Sequence, residues 1–427
     1  MSLAERDLNV LWHPYTQMKT MDLPVVISKG KGAWLYDEEG NAYLDGISSW
    51  WVNSHGHAHP HIAEKVAEQV KKLEHVIFAG FTHPGAVELA ERLVGKLPDN
   101  QRHIFYSDNG STAVEVALKM AIQYWDNKGS QRNTIISFEN AYHGDTFGAM
   151  SVSGRGAFIK PFESMLFDVV FIEPPSAGKE EASLEQLREV LSTKGDSIAG
   201  FIYEPLVQGA AGMMMHTVHG LEQLILECQR NEILCIADEV MTGFGRTGKF
   251  FASDHLSIRP DIVCMSKGIT GGTMALGATS CSSAIYEAFL SDDKSKTLFH
   301  GHSYTGNPVA CAAANASMDL FDEDATWANI KRIVERHEQF AEKLQSLDGI
   351  ENIRQVGTIL AFDLQTGEET SYFNQDRDRI YKFFMDKKIL LRPLGNVIYI
   401  LPPLCITDSE LDLIYNAIEA LIGELNG

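Results

Sequence analysis

Short apolar runs alternate with helical patterns through the middle of this chain, from about residue 60 to about residue 320. Strands that are apolar throughout must be covered on both faces, as they are in a parallel sheet between two layers of helices. The pattern therefore predicts an α/β fold whose mainly parallel sheet is flanked by helices. The clearest apolar runs span residues 103–107, 134–138, 169–172, 198–203, 233–240 and 261–268.

Both chain ends depart from this alternation. The first 50 residues contain short strands and turns, including a hairpin at residues 32–45. After about residue 330 the pattern changes to a helix, strands and a last helix, which begins with a capping box at residues 407–410. We therefore predict a large α/β domain over residues 56–324 and a small α+β domain built from residues 1–55 and 325–427.

Two of the apolar runs end in charged residues, Asp238 and Lys267. Parallel strands would deliver both side chains to the same end of the sheet. A lysine there can bind the aldehyde of pyridoxal 5'-phosphate (PLP) covalently, and an aspartate can keep the ring nitrogen protonated. Burying such a pair without a purpose is costly. The pair predicts a PLP site, and a structural ion pair is the alternative.

A candidate phosphate cradle follows the apolar run at residues 103–107. Gly110, Ser111 and Thr112 open a helix with an apolar stripe. A helix start offers free backbone N–H groups and the positive end of the helix dipole, which suit a phosphate. A plain N-cap is the alternative reading. The stripe consists of Val114, Ala117, Leu118, Ala121 and Trp125.

Composition narrows the class of protein. The 427 residues carry a formal net charge of −21, which argues against binding to nucleic acid. No run of 18 apolar residues predicts a membrane span, and the first residues lack a secretory pattern. The six cysteines are scattered and several lie in apolar runs, so we expect reduced core residues in a cytoplasmic protein.

Two motifs point elsewhere. Residues 243–249 match the G-x-x-x-x-G-K pattern of nucleotide-binding loops, but Phe250 follows where Ser or Thr should hold magnesium. A P-loop nucleotide-binding protein is therefore a remote alternative. The histidines of residues 55–61 resemble a metal tract, yet no Cys or Glu accompanies them at ligand spacing, so we expect no metal.

Several other side chains could contact a substrate. Tyr142 follows a predicted strand and could stack on one face of a cofactor ring, with Val240 on the other face, although a packed turn is the alternative. Arg392 ends a strand and could grip a carboxylate, although a surface arginine is equally simple. Three aromatic residues could line a pocket for an aliphatic chain or fill a domain boundary: Tyr15, Trp50 and Trp51. Polar atoms at residues 299–308 could supply a second phosphate clamp.

Taken together, these motifs resemble the class III, fold-type I aminotransferases that use PLP. The resemblance covers nearly the whole chain and implies a homodimer with active sites at the subunit interface. It also implies a large α/β domain and a small α+β domain from both chain ends. The matching stretches are residues 45–46, 109–112, 142–144, 204–205, 237–240, 243–248, 266–268 and 305–308.

The resemblance also implies roles for single residues. Lys267 would hold the cofactor and shuttle a proton, and Asp238 would pair with the ring nitrogen. Gly110 and Ser111 would bind the phosphate. Ser303 of the other subunit would also bind the phosphate, and Tyr142 and Val240 would contact the cofactor ring. Tyr15 would take part in catalysis. The substrate would be bound by Tyr15, Trp50, Trp51, Tyr142, Gly301 and Arg392.

Three stretches are more selective within the class, namely residues 12–17, 48–51 and 392–395. They resemble the branch that converts 8-amino-7-oxononanoate to 7,8-diaminononanoate in biotin biosynthesis. The implied amino donor is S-adenosylmethionine, with lysine as the alternative. Leu394 stands where an aromatic residue is common in that branch. The other enzymatic reading is a class III aminotransferase for ornithine, 4-aminobutyrate or another ω-amino acid.

Overall fold

A seven-stranded sheet forms the centre of the fold. The structure is a computed structural model that describes residues 1–156, 158–365 and 376–426. The positions 366–375 and 427 of the predicted small domain lie outside the described residues. The strands are β1 (Ile27–Lys31), β2 (Trp34–Asp37), β3 (Ala42–Asp45), β4 (Gln101–Ser107), β5 (Thr134–Phe138), β6 (Val169–Ile172), β7 (Ile198–Tyr203), β8 (Val207–Gln208), β9 (Met214–Met215), β10 (Leu234–Asp238), β11 (Ile262–Met265), β12 (Gly277–Ser282), β13 (Ile350–Val356), β14 (Ile359–Leu364), β15 (Ile389–Leu390) and β16 (Val397–Ile400).

The central sheet has the order β4–β12–β11–β10–β7–β5–β6. Strand β12 runs antiparallel to both of its neighbours, and the other six strands share one direction. The prediction of a mainly parallel sheet is therefore confirmed. Each predicted apolar run forms a strand, because side chains on both faces of the sheet are covered: Cys235 and Ala237 belong to one buried cluster, and Leu234 and Ile236 to another.

Helices cover both faces of this sheet. The predicted stripe of the helix that begins at Gly110 is confirmed, since all five of its members are buried. The α-helices are α1 (Leu3–Val10), α2 (Pro60–Lys72), α3 (Pro84–Lys96), α4 (Gly110–Asn127), α5 (Phe147–Ser151), α6 (Glu180–Lys194), α7 (Val218–Arg230), α8 (Ser283–Glu287), α9 (Pro308–Phe321), α10 (Asp324–Leu344), α11 (Asp376–Asp386) and α12 (Asp408–Asn426). Short 3₁₀ helices span Lys160–Met165, Gly195–Ser197, Ala252–His255, Lys267–Thr270 and Lys294–Lys296.

The chain ends form two smaller sheets, with the orders β1–β2–β3–β15 and β13–β14–β16. The predicted hairpin is confirmed, since β2 and β3 pair antiparallel. Strand β15 comes from the other end of the chain and pairs parallel with β3, so that Leu390 lies opposite Asp45. The capping box is also confirmed, because Thr407 and Glu410 exchange hydrogen bonds at the start of α12. The exact domain boundaries stay a prediction.

Three features bear on the class of protein. The six cysteines all lie in the described part of the chain and are free, and five of them are buried. No helix among residues 1–156, 158–365 and 376–426 is long and apolar enough to cross a membrane. Within the same ranges, no cluster of three or more potential ligand side chains could hold a metal ion.

The residue after Asp238 fixes the loop that follows β10. Glu239 is fully buried, and its carboxylate accepts hydrogen bonds from the hydroxyl of Thr242 at 2.6 Å and from the backbone N–H of Ala252 at 3.0 Å. The backbone N–H and the hydroxyl of Ser253 both donate to it at 2.7 Å. This acceptor-only group therefore ties both ends of the loop beside the predicted site.

We expect Glu239→Gln to lower the free energy of unfolding by about 2–3 kcal/mol, because an NH₂ group would replace one of the accepting oxygens and face donors. Urea unfolding of both proteins measures the loss. Glu424→Gln on the exposed last turn of α12 is the matched control, and it should stay within about 0.5 kcal/mol of wild type. Equal stability of the Glu239 variant would show that this network does not hold the loop.

Candidate active site

The carboxyl ends of the parallel strands enclose one cavity of about 340 Å³. Strand β10 delivers Asp238 and its parallel neighbour β11 leads into Lys267. The loops after β4, β5 and β7 supply the opposite walls. The sequence prediction that Asp238 and Lys267 reach the same end of the sheet is therefore confirmed, since both line this cavity. The cavity is lined by Trp51, Val52, Asp108, Asn109, Gly110, Ser111, Tyr142, His143, Gly144, Glu204, Asp238, Val240, Met241, Ser266, Lys267, Met274, Ala275 and Leu276.

Lys267 is held in an uncommon backbone conformation, with φ of 46°. Its ammonium nitrogen lies 4.6 Å from the ring centroid of Trp51, which is a cation–π distance. Desolvation lowers the pKa of Lys267 to about 8, while the charges of Asp238 and Glu204 oppose this shift. Lys267 is therefore a nucleophilic amine at a pH well below that expected for an exposed lysine.

Asp238 is 4% exposed, and hydrogen bonds fix both of its carboxylate oxygens. Oδ2 lies 2.6 Å from Nδ1 of His143, and Oδ1 accepts from the backbone N–H of Val240 at 3.1 Å. The backbone N–H of His143 in turn donates to Ser153. Sequence reasoning missed His143 as a site residue. Its place beside Tyr142, after a predicted strand, was the only available signal.

The predicted phosphate cradle lies at one end of the cavity. Asn109 caps α4 by accepting from the backbone N–H of Thr112 at 3.0 Å, so the N–H groups of Gly110 and Ser111 begin the helix without an intrahelical acceptor. Gly144 has a φ of +128°, and a Cβ atom there would overlap the side chain of Ser111. The cradle thus combines free N–H groups, a hydroxyl and close backbone approach, which fits a phosphate.

Glu204 is a buried acid that sequence reasoning did not place in the site. Its carboxylate accepts from the backbone N–H groups of Tyr142 at 3.1 Å and Gly209 at 3.0 Å. Burial raises the pKa of Glu204 to about 7, against the opposing charge of His143. The adjacent Pro205 marked the position in the sequence, but only the end of β7 shows that this acid faces Lys267.

A second cavity of about 440 Å³ shares Tyr142 and Gly144 with the first. Tyr15 contacts two residues that line this cavity, since its hydroxyl donates to Asp145 and lies 3.2 Å from the hydroxyl of Tyr142. Burial and Asp145 raise the pKa of Tyr15, and burial raises the pKa of Tyr142 to about 12. The remaining walls include Arg155, Phe158, Ile159, Ala210, Ala211, Gly212, Met214 and Leu394.

Trp50, Trp51 and Arg392 lie close together at this side of the site. The Trp50 ring centroid is 5.5 Å from that of Tyr15 and 5.2 Å from the guanidinium carbon of Arg392. Trp51 is buried, and its indole N–H donates to the hydroxyl of Tyr399 at 3.1 Å. The structure therefore brings Tyr15, Trp50 and Arg392 together and places Trp51 against Lys267 in the first cavity.

Gly301 and Ser303 do not line the cavity of Lys267. They lie on a separate opening of about 610 Å³, together with His75, Phe78 and His302. A single chain therefore does not bring these two predicted residues to the site. Their predicted roles require a second subunit.

The loop that resembles a nucleotide-binding motif is part of the core. Arg246 is 1% exposed and donates to the carbonyl of Pro402, and Phe244 is also buried. A Cβ atom on Gly245 would lie 2.8 Å from Ile330. The element that directly follows this loop is the short 3₁₀ helix Ala252–His255 rather than an α-helix, so the loop lacks the N-terminal helix dipole that a phosphate loop uses. The geometry does not favour the remote alternative of a nucleotide-binding protein.

Comparisons with known proteins agree with this geometry. Residues 15–422 match the aminotransferase class-III family. The chain belongs to this family. A relative from Synechococcus elongatus, named adenosylmethionine-8-amino-7-oxononanoate aminotransferase, is 46% identical over 97% of this chain and 99% of its own length. A Staphylococcus aureus protein with the same name is 38% identical over 96% of this chain and 94% of its own length.

Solved structures of class-III aminotransferases share the fold. The adenosylmethionine-8-amino-7-oxononanoate aminotransferase of Methanocaldococcus jannaschii has a TM-score of 0.93 and 36% identity, covering 98% of each chain. An amine transaminase from an uncultivated Pseudomonas species, solved in its PLP-bound form, has a TM-score of 0.92 and 32% identity, covering 97% of this chain and 98% of that one. The predicted fold-type I architecture is therefore confirmed, and PLP is the cofactor of this enzyme.

The residues of the cavity fit PLP. They supply an amine of lowered pKa for its aldehyde, a fixed carboxylate for its ring nitrogen and a cradle for its phosphate. The side-chain roles within this fit stay predictions.

We expect the pH dependence of PLP attachment to report the lowered pKa of Lys267. Only the neutral amine attacks an aldehyde, so the attachment rate should rise about tenfold per pH unit below the pKa and level off above it. The midpoint should lie near pH 8, well below the ordinary lysine value of 10.5. Stopped-flow absorbance after mixing the cofactor-free enzyme with PLP measures this rate.

Lys267→Ala is the control, because it removes the fast phase and leaves only the background reaction of surface lysines. A midpoint close to 10.5 would contradict the desolvation of this amine.

Proposed function

We propose that this aminotransferase converts 8-amino-7-oxononanoate to 7,8-diaminononanoate in biotin biosynthesis, with S-adenosylmethionine as the favoured amino donor. The observation that carries the proposal is the cavity of Lys267 and Asp238, which shares Tyr142 with a second cavity. Trp50 and Arg392 lie together beside Tyr15, whose hydroxyl is 3.2 Å from that of Tyr142. The shared name of the relatives supports the substrate and the donor.

The groups around Lys267 divide the proton chemistry among them. When bound, PLP carries the amino group between the two substrates and draws electrons from the carbon that loses its proton. Lys267 would hold the cofactor until the amine of the donor displaces it, and its freed Nζ would then take the proton from the carbon that bears the amino group. Asp238 is fixed by His143, so its negative charge stays at the ring nitrogen. Near pH 8 the lysine is partly neutral, as a base must be.

The remaining cavity residues orient the cofactor. Gly110 and Ser111 donate backbone N–H groups to the phosphate. Because these groups are already held in place, little entropy is lost in ordering them on binding. Tyr142 and Val240 flank the ring. Tyr15 assists catalysis through its hydrogen-bonded contact with Tyr142.

The second cavity suits the aliphatic chain of the amino-oxo acid. Apolar ring surface along the aliphatic chain of the substrate comes from Trp50, Trp51, Tyr15 and Tyr142. Arg392 pairs with the carboxylate at the far end, where a planar guanidinium forms two parallel hydrogen bonds. The separation between the amine of Lys267 and the guanidinium of Arg392 thus selects the length of the substrate.

The proposal includes a homodimer with shared sites in the cytoplasm. In the dimer, Ser303 of the partner subunit completes the phosphate cradle and Gly301 of the partner subunit contacts the substrate. Their separation from Lys267 within one chain supports this arrangement. The proposal also keeps the division into a large domain, residues 56–324, and a small domain from both chain ends.

Single half-reactions test the function and the donor. S-adenosylmethionine alone should remove the visible absorption of the PLP-loaded enzyme, and adding 8-amino-7-oxononanoate should restore it and yield 7,8-diaminononanoate. In parallel experiments, lysine, ornithine or 4-aminobutyrate replaces S-adenosylmethionine as the amino donor. Bleaching by lysine alone would change the donor and keep the acceptor. Turnover only with ornithine or 4-aminobutyrate would assign the chain to another reaction of the class.

Arg392→Ala should raise the KM for 8-amino-7-oxononanoate about 10- to 100-fold, because a charge-assisted pair of hydrogen bonds to the carboxylate is lost. Steady-state kinetics measure the change, and PLP affinity should stay within about twofold of wild type, because the guanidinium is outside the cofactor cradle. Arg188→Ala on the surface of α6 is the control. The methyl ester of the substrate should react equally with wild type and with Arg392→Ala. If Arg392→Ala still preferred the free acid, this role of Arg392 would be contradicted.

A further inference from the structure

A left-handed turn presents the two tryptophans to the site. Ser48, Ser49, Trp50 and Trp51 have φ values of 51°, 46°, 72° and 71°. L-residues disfavour this conformation, and four in succession without a glycine need strong external support. The turn directs Trp50 toward Tyr15 and Arg392 and places Trp51 against Lys267.

The carboxylate of Asp45 holds this turn from behind. Asp45 is fully buried at the end of β3 and does not line the cavity. Its Oδ1 accepts from the backbone N–H groups of Ile47 at 3.1 Å and Ser49 at 3.0 Å. Its Oδ2 accepts from the hydroxyl of Ser49 at 2.8 Å. One side chain thus satisfies two donors of the left-handed turn, both on Ser49, and the backbone N–H of Ile47 just before it.

His57 fixes the orientation of Asp45 in turn. Its Nε2 lies 2.9 Å from Oδ2 of Asp45, and its Nδ1 lies 2.9 Å from the amide nitrogen of Asn53. Because the amide donates to Nδ1, Nε2 carries the proton that is donated to the carboxylate. The backbone of His57 also exchanges hydrogen bonds with Gly32 at the start of the hairpin. The histidine therefore links the sheet of the chain ends to the turn.

We propose that Asp45 and His57 are positioning residues that set substrate affinity through the left-handed turn of Trp50 and Trp51. The inference rests on the proposed function and deepens it. Neither residue lines the cavity of Lys267, so each acts through the indole rings. The turn can relax toward ordinary backbone angles when the hydrogen bonds weaken, and the relaxation moves both rings at once.

His57→Leu tests this inference in the PLP-loaded enzyme, because it removes the N–H donor at similar volume. The KM for 8-amino-7-oxononanoate should rise about tenfold, which is the effect of losing one charge-assisted hydrogen bond. The affinity for PLP should remain within about twofold, because the cradle at α4 is separate. His57→Gln keeps an N–H donor and should restore most of the affinity for the substrate.

Fluorine NMR of enzyme labelled with 5-fluorotryptophan provides a readout that does not depend on activity. The chain has six tryptophans, and Trp50→Phe and Trp51→Phe assign the two resonances of the turn. These two should shift in His57→Leu and return in His57→Gln, while the other four stay in place. Asn41→Ala is the matched control, because it disturbs the same hairpin through Asp37 without contacting the turn.

Unshifted Trp50 and Trp51 resonances in His57→Leu would overturn the inference, as would a KM that rises equally in Asn41→Ala. An equal loss in His57→Gln and His57→Leu would also overturn it, since the donor would then be irrelevant. A wild-type enzyme that does not accept 8-amino-7-oxononanoate would refute the proposed function alone. In that case the fluorine spectra still decide the role of His57.

Discussion

The parallel pairing of β10 with β11 is the constraint on which the rest of the site depends. It brings Asp238 and Lys267 to one edge of the sheet, where Asp238 is buried and Lys267 is half-buried at the cavity. Burying isolated charges would be costly, and the opposite charges offset part of that cost. The remaining cost appears as the lowered pKa of Lys267, about 8. The same desolvation that opposes the charged lysine thus prepares a neutral amine for catalysis.

Further buried polar and charged groups surround this pair. His143 and the N–H of Val240 fix the carboxylate of Asp238, and Glu239 ties the next loop to the core. Glu204 adds a second acid whose pKa burial raises to about 7. Buried hydrogen bonds of this kind hold polar groups rigidly in a medium of low dielectric constant. The site is therefore pre-organised before any substrate arrives.

The substrate side is built by the two chain ends together. Strands β3 and β15 are parallel neighbours, so the turn after β3 and Arg392 after β15 emerge at the same edge. Trp50 and Arg392 are thereby brought within cation–π distance although they are far apart in the chain. The left-handed turn, with its four consecutive positive φ values, stores backbone strain at this wall. Strain held by buried hydrogen bonds thus ties the proposed substrate-binding side chains to the integrity of the smaller sheets.

Local sequence alone predicts the alternation of strands and helices, the apolar stripe of α4, the end of β10 at Asp238 and the end of β11 just before Lys267. These features depend on local periodicity and capping, which neighbouring residues decide. The packing of distant segments determines that Glu204 lines the cavity of Lys267, that His143 holds Asp238, that the motif around Arg246 is core, and that Ser303 lies outside the cavity of its own chain. It also determines the left-handed turn and its support by Asp45 and His57. These depend on contacts between residues distant in sequence, and no local pattern encodes which strands become neighbours.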